Sequence, residues 1–372
     1  MMRKLKTSAK GGPACGWQSA KLLVFSLSFT LCVLRFTLNC YAGEITILYT
    51  GDTHAMIYPC SCPIEPDGGV ARRQTLIKQI RQANPYVLLL DSGGFFAGGL
   101  LDEYTQNTEL DSQRAKINLK AMALMKYDAL AIGDDEFNFG REFFQSNIDT
   151  IGSALLSCNM KTEKVLPYVI KDIAGIKIGI IGVTTPAAAP KAGGLEFTEP
   201  KAKVAKAVSY LRKTGADIIV LLSHLGESED LNLIKDIEGI DILIVGHYRT
   251  KDQPSAKIAN TLVLRPSWQG RRLGKLSLVI EDEKIKEYKV EELRLSDKIA
   301  DDPGILAILP RCFSDSNCKK EGSFGLCQGP GSVDSSCAFK EANKISLTVI
   351  TTRDCTSCDT EGPVKFLRKQ FP

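Results

Sequence analysis

Between residues 45 and 247 the chain carries six short stretches that are apolar almost without interruption: ITILYT (45–50), YVLLLD (86–91), ALAIG (129–133), IKIGIIGV (176–183), DIIVLLSH (217–224) and DILIVGH (241–247). A strand with one wet face alternates apolar and polar residues, whereas a strand that is apolar at nearly every position is covered on both faces. Between several of them, at 70–83, 112–125 and 200–214, lie amphipathic stretches of helical pattern. Further on, RRLGKLSLVIEDEKIKEYKVEEL (271–293) alternates in the manner of a hairpin that turns near Asp282–Lys284. The pattern predicts a layered α/β domain over residues 43–296, with no long internal repeat.

Composition narrows the class. The chain has 372 residues, 44% apolar and 24% charged, as a globular protein does. Its formal charge of +4 is misleading, because Arg3, Lys4, Lys6, Lys10, Lys21 and Arg35 all precede Glu44, the first acidic residue. Without those six the remainder is near −2, which leaves no basic footprint for nucleic acid. The basic start runs into LLVFSLSFTLCVL (22–34), uncharged but only 13 residues long, against the roughly 20 apolar residues of a membrane span. A basic n-region, a short apolar run and small residues before GEITILYTGD (43–52) predict a secretory signal over residues 1–42, cut after Ala42. A retained anchor, or a lipid on Cys40, is the alternative. The expectation is an exported protein, periplasmic or extracellular, that meets a membrane only through this signal.

Twelve cysteines suit an oxidising compartment, and nine of them follow the signal. Cys312, Cys318, Cys327 and Cys337 lie in a segment (297–342) rich in Gly, Ser, Asp and Lys that has too little apolar material to hold itself together. Their spacings of 5, 8 and 9 residues lack paired C-x2-C knuckles, so two disulfides are expected rather than zinc. In TRDCTSCDTE (352–361), Cys355 and Cys358 form a C-x2-C that follows a strand pattern and enters a helical one. That arrangement resembles the opening of a thioredoxin-like domain, in which the helix dipole lowers thiol pKa. Residues 343–372 are too few for that fold and read as a truncated βα unit, or as a plain disulfide. Cys60 and Cys62, in YPCSCP (58–63), are either a redox or metal-binding pair or part of an inert loop disulfide, with one of them tied to Cys158.

The three histidines of the chain, His54, His224 and His247, each close a predicted strand, and Asp52 stands two residues before His54. Imidazole and carboxylate together suit zinc, iron or manganese. In chain order GDTH (51–54), SGG (92–94), GDDE (133–136), LSHLG (222–226) and GHYR (246–249), with GGVARR at 68–73, resemble the motif series of the metallophosphoesterase (calcineurin-like) superfamily, of the type found in the N-terminal domain of secreted 5′-nucleotidases. The resemblance covers residues 45 to about 295. It implies two facing mixed sheets flanked by helices, a two-metal centre and hydrolysis of phosphoesters.

Carried over position by position, Asp52, His54, His224 and His247 match the family's ligands. The bridging Asp is replaced by Gly94, the last His by Arg249, the Asn by Asp134, and the neighbouring catalytic His by Asp135. Two metals about 3.5–4 Å apart clamp the attacking and leaving oxygens in such hydrolases, and without a bridging carboxylate the pair loses its support. Asp134, His224 and His247 still make a two-His, one-carboxylate set for one divalent ion. Arg249 could pair with Asp52 in place of the other ion, and Asp135 could take up or relay a proton. The reading is a phosphoester hydrolase with an atypical, mononuclear or weakly active site, a small phosphorylated substrate and one Zn, Mn or Fe per chain. The alternative is a non-hydrolytic exported thiol-redox or metal-binding protein, with a thiol partner, on the same scaffold.

Overall fold

The computed structural model describes residues 44–60, 64, 66–105, 107–247 and 255–310, and the backbone of three short strands at 319–320, 323–328 and 336–339. The signal at 1–42, Cys62, Arg249, Cys312, Cys318, Cys355 and Cys358 lie outside the described residues, as do the side chains of Cys327 and Cys337.

Two mixed six-stranded sheets form the body. The first has the order β12-β11-β1-β2-β3-β4, where β1 is Ile45–Thr50, β2 Val87–Asp91, β3 Ala129–Ala131, β4 Ala154–Leu156, β11 Arg272–Glu281 and β12 Lys284–Arg294. The second has the order β5-β6-β7-β8-β10-β9, with β5 Tyr168–Ile173, β6 Ile176–Thr184, β7 Ile218–His224, β8 Ile242–Val245, β9 Ala256–Ile258 and β10 Thr261–Leu264. Strands β1 to β4 are parallel neighbours, as are β6, β7, β8 and β10, while β11, β12, β5 and β9 pair antiparallel at the flanks. The hairpin expected near Asp282–Lys284 turns on Asp282 and Glu283, both at positive φ.

The continuous apolar strands are covered on both faces because the sheets stack on each other and carry helices outside. Along β1, Ile45, Ile47 and Tyr49 point into a core shared with Ile178 and Ile180 of β6 and Val220 and Leu222 of β7. Leu48 points the other way, into a core with Val70, Ala71 and Ile77 of helix α1 (Val70–Ala83) and Leu119 and Met122 of α2 (Thr108–Met125). The helix expected at 112–125 begins four residues earlier, where the Asn107 side chain caps the Leu110 N–H. Helix α3 is Gly140–Asn147. On the second sheet Ile219 and Leu221 of β7 meet Val204, Val208 and Leu211 of α4 (Pro200–Lys213) and Leu233 and Ile234 of α5 (Glu227–Asp236).

Beyond Leu295 the chain stays on this body as far as Leu309. The short helix α6 (Pro303–Leu306) sends Ile305 into the α1 and α2 core, and Asp302 caps it while pairing with Lys78 of α1. The strands β13 (Lys319–Lys320), β14 (Ser323–Gln328) and β15 (Ser336–Phe339) make a separate antiparallel sheet in which Cys327 and Cys337 are register partners. Among the described residues no helix is long and apolar enough to cross a membrane.

Candidate metal centre

Each candidate ligand leaves the C-terminal end of a parallel strand, where loops of open α/β sheets gather. Asp52 and His54 follow β1, Gly94 follows β2, Asp134 and Asp135 follow β3, His224 ends β7 and His247 follows β8. The loops after β1 and β2 are laced together: Asp52 N–H donates to the carbonyl of Gly93 and His54 N–H to that of Gly94, both at 2.8 Å. Asp52, His54, Ala55 and His247 all take positive φ, a conformation costly for residues with a Cβ and concentrated at working sites.

Glu136 organises the third loop. Its carboxylate accepts from the N–H groups of Gly133 (2.6 Å), Phe95 (2.7 Å), Gly94 (3.2 Å) and Phe96 (3.2 Å). Burial pushes its carboxyl up to about 7 in spite of those donors. This role was missed in the sequence, where Glu136 reads only as the third acid in a row.

His224 is fully buried and set between loops. Its Nδ1 lies 3.0 Å from the carbonyl of Ser92, which can only accept, so Nδ1 carries a proton. A Cβ added at Gly133 would stand 2.5 Å from His224 Nε2, and one at Gly246 would stand 2.6 Å from Nδ1 and 2.5 Å from the Ser92 carbonyl. The ring fits because both neighbours are glycine. Its Nε2 faces Asp134 Oδ1 at 3.4 Å, and His247 Nδ1 is also 3.4 Å from that oxygen. The predicted trio therefore comes together.

Asp52, which the sequence reading paired with Arg249 in place of the other ion, lies beside this trio. Asp52, His224 and His247 bring ligand atoms within 4.8 Å of one another, and Asp52 Oδ1 is 3.9 Å from His224 Nδ1. The buried atoms Asp52 Oδ1, Asp134 Oδ1, His224 Nε2 and His54 Nε2 make no hydrogen bond. A carboxylate oxygen facing an imidazole nitrogen needs positive charge between them. Without a metal a proton fills that need. Burial disfavours the imidazolium of His224, but Asp134, Asp52 and Glu136 outweigh it and raise its pKa to about 10. Burial likewise opposes ionisation of Asp134, and His224, Lys191 and His247 outweigh it, holding the carboxyl well below the ordinary range. For His247, burial and the charge of His224 lower the pKa. A divalent cation fits the donor set.

His54 stands apart from this trio. Its Nδ1 lies 3.0 Å from Asp135 Oδ2, and its ring leans on Trp268 with centroids 4.8 Å apart. Burial works against its charge, but Asp135 and Asp52 raise its pKa, and the same pairing lowers that of Asp135 against burial. Asp135 Oδ1 accepts from Asn138 Nδ2 at 3.1 Å. Asp135 therefore has both oxygens engaged, one facing His54 and the other on Asn138.

Lys191 was not foreseen, because it sits in PAAAPKAGG (186–194), a loop without a motif, far in sequence from any ligand. Its Nζ is 2.8 Å from Asp134 Oδ2 and 3.0 Å from Asn138 Oδ1. Burial lowers its pKa, but Asp134 and Asp135 outweigh that and raise it. The suggested tie to Cys158 is not made: Cys158 is a free thiol whose pKa burial pushes up to about 12. Cys60 is buried, its N–H bonded to the carbonyl of Asp67 at 2.8 Å.

Two mixed sheets stacked between helices, with carboxylates and imidazoles gathered at one end, make a metallophosphoesterase-like sandwich. The calcineurin-like phosphoesterase YfkN from Bacillus subtilis shares it with a TM-score of 0.58 at 25% identity, covering 72% of this chain and 95% of that one. In sequence the chain is 30% identical over 281 residues to the snake venom 5′-nucleotidase of Crotalus adamanteus, covering 69% of this chain and 46% of the relative. It is 29% identical over 306 residues to that of Naja atra, covering 72% and 56%. The chain thus spans about half the length of these curated relatives. No family model matches it.

Proposed function

We propose that the chain is an exported, 5′-nucleotidase-like phosphoester hydrolase that works with one divalent transition metal, zinc, manganese or iron. The observation that carries this reading is the buried group Asp52, His224 and His247, whose ligand atoms lie within 4.8 Å of one another, with Asp134 Oδ1 3.4 Å from His224 Nε2 and with Asp52 Oδ1, Asp134 Oδ1 and His224 Nε2 all making no hydrogen bond. Burying such groups unpaired is costly. Asp134, His224 and His247 would hold the ion with Asp52 as a further ligand, a set suited to those metals. When bound, the ion supplies Lewis acidity toward a phosphoryl oxygen and lowers the pKa of water toward neutrality.

The remaining residues hold charge and protons. Asp135 Oδ2 faces His54 Nδ1 at 3.0 Å, which favours a proton on Nδ1 and leaves His54 Nε2 to take up or return a proton. Asn138 anchors the other oxygen of Asp135, so Asp135 acts through His54. The substrate class is a small phosphate monoester, nucleotides included. The names of the relatives and the ordered ligand loops support this class. Export is supported by the signal pattern in the sequence and by relatives named as venom proteins.

The test is elemental analysis of protein purified without chelator, paired with hydrolysis of an aryl phosphate. One equivalent of metal and chelator-sensitive turnover are expected. Two tightly held ions, together with turnover on the order of 10 per second, would overturn the one-metal site. Metal without turnover would favour a metal-binding protein on the same scaffold.

A further inference from the structure

The proposed site is rich in negative charge. Asp52, Asp134, Asp135 and Glu136 stand in it or directly behind it, and a phosphate monoester adds about two more negative charges. One divalent ion balances only the two carboxylates that would ligate it. Among the described residues, the lysine that reaches these carboxylates is Lys191.

Lys191 is held at two points. Its ammonium has three N–H donors; Asp134 Oδ2 takes one at 2.8 Å and Asn138 Oδ1 another at 3.0 Å, while Asp135 Oδ1 lies further off at 3.9 Å. The third donor remains for a ligand, and the side chain is 40% exposed. The loop beneath it is fixed. Ala188, Ala192 and Leu195 are buried in the core that packs against α1 and α2. The N–H groups of Lys191 and Ala192 both bond to the carbonyl of Ala188, and Arg141 of α3 reaches the carbonyl of Gly193. A lysine on a mobile loop would be a solvated charge; this one is carried by a packed element to the mouth of the ligand cluster.

We propose that Lys191 is the phosphate-binding cation of this site, donating its third N–H to a non-bridging oxygen of the substrate while Asp134 and Asn138 hold it in place. The proposal rests on the phosphoester reading above and names the residue that would make an acidic cleft accept an anion.

The experiment compares the manganese-loaded full chain with its Lys191→Met and Lys191→Arg variants. It measures metal content, binding of inorganic phosphate by calorimetry, and KM and kcat for an aryl phosphate. Losing a charged hydrogen bond should weaken phosphate binding about 30-fold in Lys191→Met. KM should rise in parallel, metal content should be kept, and Lys191→Arg should recover most of the affinity. Phosphate affinity unchanged in Lys191→Met, or no phosphate binding by the parent protein, would overturn the proposal. Loss of metal in Lys191→Met would also overturn it, by making the lysine a prop for Asp134. Phosphate binding that depends on Lys191 without any turnover would sink the hydrolase reading and leave this one standing.

Discussion

The two histidine stations of the site are built in opposite ways. His224, on the second sheet, is a ring without room to move: glycines press on it, the carbonyl of Ser92 takes its Nδ1 proton, and its Nε2 is aimed at Asp134. His54, on the first sheet, is equally buried but held by a charge, with Asp135 on Nδ1 and Trp268 against its face. Steric walls position a ligand whatever its protonation. A carboxylate partner positions a ring by managing its proton. The first device suits a metal station, the second a proton station, and the difference can be tested from both sides.

The largest expected effect comes from His224→Ala. Metal content measured by mass spectrometry should fall to background, since Asp134, Asp52 and His247 then lack the ring between them. His54→Ala should keep most of the metal and lose turnover. Equal loss of metal in both variants would erase the distinction between the stations.

Next come the walls. Gly133→Ala places a Cβ 2.5 Å from His224 Nε2, so the ring must shift, with a stability cost of about 1–3 kcal/mol for overpacking and weakened metal binding. Gly94→Asp, which writes the family's bridging residue back, faces a related difficulty. Its Cβ would stand 2.5 Å from Asp52 Oδ1, at a backbone φ of +73. Alone it should lower the melting temperature and leave metal content at one equivalent or below. A second tightly bound ion in that single variant would show that the wall yields.

Asp135→Asn tests the proton station. It keeps the shape but removes the anion beside His54 Nδ1, so kcat should drop about 10–100-fold with metal content unchanged. An unchanged kcat would leave Asp135 as packing.

The smallest effect should come from a contact remote from both stations. Burial opposes the charge on Asp302, but Lys78 and the N–H groups of Ile305 and Gly304 outweigh it and lower its pKa. A carboxyl held below its unfolded value stabilises the fold fully above that value, about 4, and loses the contribution as pH falls through the folded one. Asp302→Ala should therefore cost about 1 kcal/mol at neutral pH, less in acid, and nothing in metal binding. A melt showing the same deficit at pH 3 and pH 7 would refute the linkage.

The unbroken apolar runs such as IIVLL and ILIV already demanded covering on both faces, and a strand buried that way can take few other places than the middle of a layered stack. The helix at 70–83 and the hairpin at Asp282–Lys284 were legible for the same reason, since period and turn chemistry are local properties. The placement of Asp52, His54, Asp134, His224 and His247 at strand ends was legible, because strand ends in parallel sheets converge. What remained hidden depended on which loop lies against which. Asp52 moves in beside His224 and His247, Asp135 spends itself on His54, Glu136 ties two loops by their N–H groups, and Lys191 arrives from a stretch with no pattern at all. Periodicity and spacing act along the chain and are therefore written in it. The partner of a buried charge is chosen across the chain, by the packing of loops that no local signal records, and only the tertiary structure supplies it.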